Sequence, residues 1–279
     1  MSQLIHMRQR IKTIETIKKV MGAMRMVSRS FHTRMNHSKA VFYEYKDTVK
    51  QLFTFLRIHN QTWHNALFFP SVEQQRTLYI IVGAHKGLCG TYNTEINYWI
   101  TNHKELLQAP STHTIIIGKK IVDHMDKLKI SVMQQLPELK VSSLKELVKE
   151  IIAIITKAQP HYTRVIIISN HPQSFFINRM RETTVIPLEN IQESDDAFRY
   201  EKSSDSLMLL DALAQAYLYD VVYNALFESL LGEHAARFIT ADNATRNANR
   251  FLNRMKLQYN KLRQAKITKE LTELATTFN

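Results

Sequence analysis

The chain of 279 residues carries 37 Lys and Arg against 25 Asp and Glu, a formal net charge of +12, with 44% hydrophobic residues and a single cysteine. That apolar fraction excludes low-hydrophobicity disorder as a description of the whole, and the lone Cys89 excludes an internal disulfide framework and a cysteine-rich zinc site. Apolar runs such as 115–117 and 151–155 fall far short of the roughly 18 residues that span a bilayer, so the chain reads as soluble or peripheral.

The first segment places apolar side chains at Leu4, Met7, Ile11, Ile14, Ile17, Met21, Met24, Val27 and Phe31, and onward to Leu56, in steps of three and four. Those steps are the period of a helix, held over some fifty residues with no proline and one glycine, Gly22. Arg8, Arg10 and Lys12 interrupt any apolar core of a secretory signal, although the Arg-rich, acid-poor start has the composition of a mitochondrial presequence. His59 and His64, flanking Trp63, stand where this helix should end, in what reads as a polar, exposed loop.

The middle changes character, because most of the glycines and prolines lie there. The run 77–82 is continuous and β-rich, a glycine loop follows, and a helical pattern covers 92–107. A second strand is expected over 114–118, a helix over 144–157, a third strand over 164–169 and a last one near 183–188. Strands apolar throughout and separated by helices predict a parallel sheet in a small Rossmann-like α/β domain, a statement of topology and not of function. The last segment starts at a Ser203-Ser204-Asp205 cap and keeps the helical period from Leu210 to Leu262, again without proline and with one glycine, Gly232.

At 1.5 Å per residue each terminal helix would be roughly 80 to 100 Å long, too long for a compact domain. One domain joins them, so the economical arrangement is an antiparallel coiled coil, with Ala241, Ala244 and Ala248 permitting close approach and Lys18 and Arg25 interrupting the stripe. The expected organisation is an N-terminal coiled-coil helix (1–60), a central α/β domain (61–202) and a C-terminal coiled-coil helix (203–279). Charge follows this division: residues 1–50 carry +8 and 234–279 carry +6, while everything between sums to −2.

No catalytic constellation emerges. Gly87-Leu88-Cys89-Gly90 follows a strand, yet lacks both the dinucleotide fingerprint and the phosphate loop, and Lys86 precedes the glycines where a phosphate-gripping lysine would follow them. A tight structural loop with an inert, semi-buried Cys89 is the favoured reading. The twelve histidines form no cluster with ligand spacing, and Asp195-Asp196 lie in a polar connector. No catalytic, cofactor or metal residue is therefore assigned. The basic ends leave a non-enzymatic alternative, a basic coiled-coil nucleic-acid binder, although the aromatics fall on the apolar stripe instead of forming a stacking platform.

"RIKTIETIKKVMGAMRMVS" (10–28), "GEHAARFITADNATRNA" (232–248) and "YNKLRQAKITKELTEL" (259–274) together resemble the terminal signatures of the gamma subunit of F-type ATP synthases, and "KGLCG" (86–90) falls at that family's Gly-Leu-Cys-Gly loop. The resemblance implies a non-catalytic rotor shaft: a coiled coil inside a ring of alpha and beta subunits, with the α/β domain at its foot against an epsilon subunit and a membrane ring of c subunits. Proton-driven rotation of the ring would then drive the catalytic beta subunits through their states, and hydrolysis would reverse it. No cofactor and no nucleic acid is implied. The location implied is peripheral, on the cytoplasmic face of a bacterial inner membrane or, alternatively, on the matrix side of a mitochondrial one. The match at Arg10 reads as mature shaft and not as presequence.

Carried over position by position, Arg263 and Gln264 correspond to family residues that hydrogen-bond a catch loop of beta. Met24 and Arg237 fall in the torque-transmitting region, Thr268 and Glu270 extend the C-terminal contact, and Gly87, Leu88, Cys89 and Gly90 form the foot-domain loop. The chain departs from the family at Gly22, where a cation is lost, and at His85, where an acidic residue is usual.

Overall fold

The computed structural model describes residues 2–59, 63, 65, 67–69, 76–158, 160–187 and 206–277. The expected cap at 203–205, His64 and the Asp195-Asp196 pair lie outside these residues. In chain order the elements are α1 (Ser2–His59), β1 (Thr77–Val82), α2 (Thr94–Asn102), α3 (Lys104–Leu107), β2 (Thr112–Ile117), α4 (Lys119–Lys127), β3 (Gln134–Leu136), α5 (Leu144–Lys157), β4 (Arg164–Pro172), β5 (Asn178–Ile186) and α6 (Ser206–Thr277). They divide into two compact units, Met1–Ser30 with Arg237–Asn279, and Phe31–Ala236, so α1 and α6 each contribute to both.

The unit Phe31–Ala236 is built on a five-stranded sheet ordered β3-β2-β1-β4-β5. β1 pairs in parallel with β2 and β4, and β2 with β3, while β5 runs antiparallel to β4 at the edge. The strands alternate buried side chains between two layers, as the period of two requires. Leu78, Ile80, Ile115, Ile117, Val165 and Ile167 face one core with α5 and the inner parts of α1 and α6. Tyr79, Ile81, Ile116, Ile166 and Ile168 face the other, with α2 and α4. Burial on both faces explains why these runs read as continuous apolar sequence.

The α/β class and the coiled-coil helices match the sequence reading, and three details correct it. The sheet is mixed, because β4 and β5 are joined by the short loop around Ser174 and Ile177, and a hairpin can only be antiparallel. Arg179 and Arg181 stand exposed on this edge strand, where charge discourages pairing with a further strand. The helical pattern 92–107 is two helices, broken at His103, whose backbone leaves the helical region while its ring stacks on Trp99 at 4.4 Å. Trp63 is buried, not part of an exposed polar loop: its indole N–H donates to Asp211 Oδ1 at 3.1 Å and its ring meets Phe53 edge-on at 5.8 Å. The sequence pattern missed α4 and β3 because each is short and shows few apolar positions, Ile121, Val122 and Met125 in one and Leu136 in the other.

The single glycines of the two long helices have opposite roles. A methyl group on Gly22 would meet nothing within 4 Å, so glycine there is a pure backbone cost. Gly22→Ala is expected to stabilise the protein by about 1 kcal/mol, read as a raised denaturation midpoint with unchanged slope. At Gly232 a methyl would sit 2.8 Å from Asn178 Oδ1, so that glycine is a point of close approach.

Candidate functional site

In the unit Met1–Ser30 with Arg237–Asn279, the two helices run antiparallel: Arg25 meets Asp242 at 2.9 Å, and Glu15, earlier on α1, meets Lys256, later on α6, at 3.0 Å. Contact is close because the facing residues are small. Ala241, Ala248 and Ser28 are buried, and Ala244 is half-buried. Arg25 breaks the apolar stripe without being an orphan, since α6 supplies its counter-ion.

Charge is partitioned between the units more sharply than along the sequence. This helix pair holds sixteen Lys and Arg against four Asp and Glu, the full +12, and Phe31–Ala236 is balanced at twenty-one of each. All four acids of the pair are engaged internally: Glu15 by Lys256, Asp242 by Arg25 and Arg246, Glu270 by Lys266 and Glu273 by Lys269. Among the described residues this cationic surface therefore carries no side-chain carboxylate without a cationic partner. Hydrogen bonds from Arg25 and then Arg246 hold the Asp242 carboxyl below its usual value. A depressed carboxyl stabilises the fold above the ordinary Asp range, and that contribution fades as acid titrates it.

Of the contact residues expected from sequence, Met24 and Arg237 are half-buried within this unit, one on each helix. Arg263, Gln264, Thr268 and Glu270 are exposed near the end of α6. There the Thr268 hydroxyl donates to the Gln264 carbonyl at 3.0 Å, and Lys266 pairs with Glu270 at 3.3 Å. An uncovered apolar stripe runs among them. Ile267, Leu271 and Leu274, 48%, 62% and 56% exposed, fall at helical spacing on the side that also carries Arg263 and Glu270. The signal was present as a step of four and a step of three, but burial in a core and exposure to a partner look alike in sequence.

The loop Gly87 to Gly90, expected from sequence to be a foot contact, lies in the other unit. Leu88 and Gly90 take φ of 61° and 57°, a left-handed conformation that is uncommon for leucine, and Leu88 projects into solvent while Cys89 is buried. The Cys89 thiol lies 3.7 Å from the Lys86 carbonyl. Asn93, at the start of α2, leaves the helix uncapped and instead accepts the Ala84 N–H at 3.0 Å. Lys86 reaches Glu138 at 3.1 Å, and Lys140 reaches it at 3.2 Å. Burial pushes the Glu138 carboxyl up, but these two lysines outweigh burial and hold it below its usual value. The lysine once considered for a phosphate is thus engaged by a carboxylate.

Behind the loop, polar groups tie α6 to the sheet. The Tyr92 hydroxyl donates to the Ser229 carbonyl at 2.7 Å, and Asn170 Nδ2 donates to the Tyr92 carbonyl at 2.9 Å. His171 meets Glu228 at 2.6 Å, and Asn178 Nδ2 donates to the Gly232 carbonyl at 3.2 Å. Burial, with the Glu233 charge adding to it, pushes the Tyr92 phenol far above its ordinary value, so it stays a neutral donor.

Residues 3–279 match the protein family described as ATP synthase. The chain is 26% identical over 280 residues to an ATP synthase gamma chain of Clostridium novyi (strain NT), covering 97% of this chain and 95% of that protein. It is 25% identical over 281 residues to one of Xylella fastidiosa (strain M23), covering 96% and 95%. Among solved structures it resembles a chain of the Euglena gracilis mitochondrial ATP synthase OSCP/F1/c-ring, with a TM-score of 0.68 at 16% identity over 99% of this chain and 94% of that one. A chain of the Tetrahymena thermophila mitochondrial ATP synthase central stalk/c-ring gives a TM-score of 0.56 at 18% identity, over 81% and 99%. At those identities the structural likeness speaks for the fold.

Proposed function

Because this chain belongs to the ATP synthase gamma chain family, we propose that its cationic helix pair is the element that couples rotation to the catalytic subunits. A gamma chain is the non-catalytic rotor subunit of the central stalk. The observation that carries the coupling assignment is the placement of the entire +12 on the helix pair, with every acid there internally paired. Exposed pairs are each worth only about 0 to 1 kcal/mol, so a cationic surface attracts an acidic lever in turn at several angles without locking at one. In this reading the c ring drives the rotor, the rotor drives the beta subunits through their conformations, and hydrolysis runs the sequence backwards.

The functional organisation is helix 1–60, α/β body 61–202 and helix 203–279. The partners are the alpha and beta subunits around the helix pair, and the epsilon subunit and c ring at the α/β body. Met24, Arg237, Arg263, Gln264, Thr268 and Glu270 contact the catalytic ring, and Gly87 to Gly90 present the exposed Leu88 as a foot contact. No helix among the described residues is long and apolar enough to cross a membrane, which agrees with peripheral attachment through the complex on the cytoplasmic face of a bacterial inner membrane.

The test is assembly. The full chain mixed with alpha and beta subunits should co-elute with them in moderate salt and restore ATP-driven rotation, and a wild-type chain that elutes alone, or binds duplex DNA in preference, defeats the reading. Within an assembled complex, Arg263→Ala with Gln264→Ala should lower ATP synthesis by about tenfold, the worth of one or two hydrogen bonds to charged groups. The melting temperature should be unmoved, because both side chains are exposed.

A further inference from the structure

Within the unit Phe31–Ala236, α6 buries Leu226, Leu230 and Leu231, but between them Glu228 and Ser229 are buried polar groups. The sheet and the loop before α2 meet that turn with polar groups of their own. The Tyr92 hydroxyl donates to the Ser229 carbonyl at 2.7 Å and lies 3.1 Å from the Ser229 hydroxyl, which accepts the Asn170 backbone N–H at 3.3 Å. Asn178 Nδ2 donates to the Gly232 carbonyl at 3.2 Å, and the missing Cβ of Gly232 leaves room for that carboxamide. Two of these acceptors are main-chain carbonyls, so α6 is gripped by its backbone and not by side chains free to change rotamer. Asn178 Oδ1, in contrast, is buried with no hydrogen-bond partner among the described residues. Desolvating an acceptor in that way costs as much as one neutral hydrogen bond returns, or more, so the Asn178 bond adds direction and not stability.

We propose that Tyr92 and Asn178 are positioning residues of the rotor, holding the angle of α6 against the sheet when the α/β body is turned under load. This rests on the rotor reading. Apolar packing is non-directional, so the leucines alone would let α6 settle at neighbouring angles. A slip of one residue moves a helix by about 1.5 Å and turns it by roughly 100°, which breaks all of these hydrogen bonds together. The path of force is short. The Tyr92 N–H donates to the Cys89 carbonyl at 3.2 Å, and Asn170 Nδ2 holds the Tyr92 carbonyl at 2.9 Å, so a push received at the exposed Leu88 enters α6 through Tyr92 and Ser229.

Load separates this role from plain stability. In the complete ATP synthase carrying this chain, sealed into vesicles, ATP hydrolysis and ATP-driven proton uptake are measured with an uncoupler and then against a growing proton gradient. Tyr92→Phe keeps the ring and loses the hydroxyl. Asn178→Ala removes the bond to Gly232 together with the unpartnered oxygen, so it carries the test if Tyr92→Phe does not assemble. Each variant should hydrolyse ATP at the wild-type rate with uncoupler and move about twofold fewer protons per ATP against the full gradient, and the double variant about fivefold fewer. Hydrolysis and uptake that fall in proportion, a ratio of protons to ATP that stays at the wild-type value under load, or an Asn178→Ala chain that does not assemble overturns the proposal and leaves the rotor reading in place. A wild-type chain that does not assemble with alpha and beta subunits defeats the rotor reading first.

Discussion

Phe53→Ala is expected to cost about 3 to 5 kcal/mol of stability, a drop on the order of 10 °C in melting temperature for a protein of this size. The side chain is fully buried near the end of α1, stacked on Tyr217 of α6 at 5.6 Å and edge-on to Trp63 at 5.8 Å. Truncation removes both ring contacts and leaves a cavity where two long helices and the segment after α1 meet. Neighbouring side chains cannot close it, because Trp63 is held in place by its bond to Asp211. Tryptophan fluorescence can follow the transition, since Trp63 and Trp99, the only tryptophans, both belong to the unit Phe31–Ala236. Phe251→Ala is the control: that ring is 56% exposed, and its loss should change stability by no more than about 0.5 kcal/mol.

Gly232→Val should be the second large effect, a loss of about 1 to 3 kcal/mol. Any Cβ at this position enters the space of Asn178 Oδ1, and Tyr92 Cε2 lies 3.6 Å away, so the added side chain pushes on both hydrogen-bonded partners at once. Asn178 would give up its bond to the Gly232 carbonyl. The strain falls on the polar tie between α6 and the sheet, so hydrogen exchange should accelerate at α6 around Ser229 and in β5 before it does in β1. An unchanged denaturation midpoint would show that Asn178 can withdraw without cost. Paired with Gly22→Ala, the experiment separates two glycines that are alike in sequence context, each alone in a long helix, and opposite in surroundings.

Those two glycines illustrate how far sequence reaches. Both are visible in sequence as the lone glycine of a long helix, and the cost of about 1 kcal/mol is intrinsic to the backbone. Whether that cost serves a purpose depends on a residue far away in sequence, Asn178 for Gly232 and none for Gly22. Trp63 shows the same limit from another side. Its polar neighbours in sequence, His59 and His64, suggested an exposed loop, but the partners that bury it are Phe53, Phe68 and Asp211. The contacts proposed near the end of α6 come from family resemblance and the amphipathic face there from periodicity, while the exposure of Ile267, Leu271 and Leu274 was not legible, because periodicity reports a face and not what covers it.

Sequence alone determined the terminal helices, the strands of the sheet interior, the concentration of positive charge at the two ends and the family to which those ends belong. Each is a local or compositional property: a helical or strand period repeated over many residues, an absence of proline, a count of charges, a motif. Tertiary structure alone decided that β5 runs antiparallel, that Trp63 is buried, that Asp242 gathers Arg25 and Arg246, and that every acid of the helix pair is internally engaged. These depend on which distant residues meet, and a small difference in register between two helices changes the partner of every charge along them.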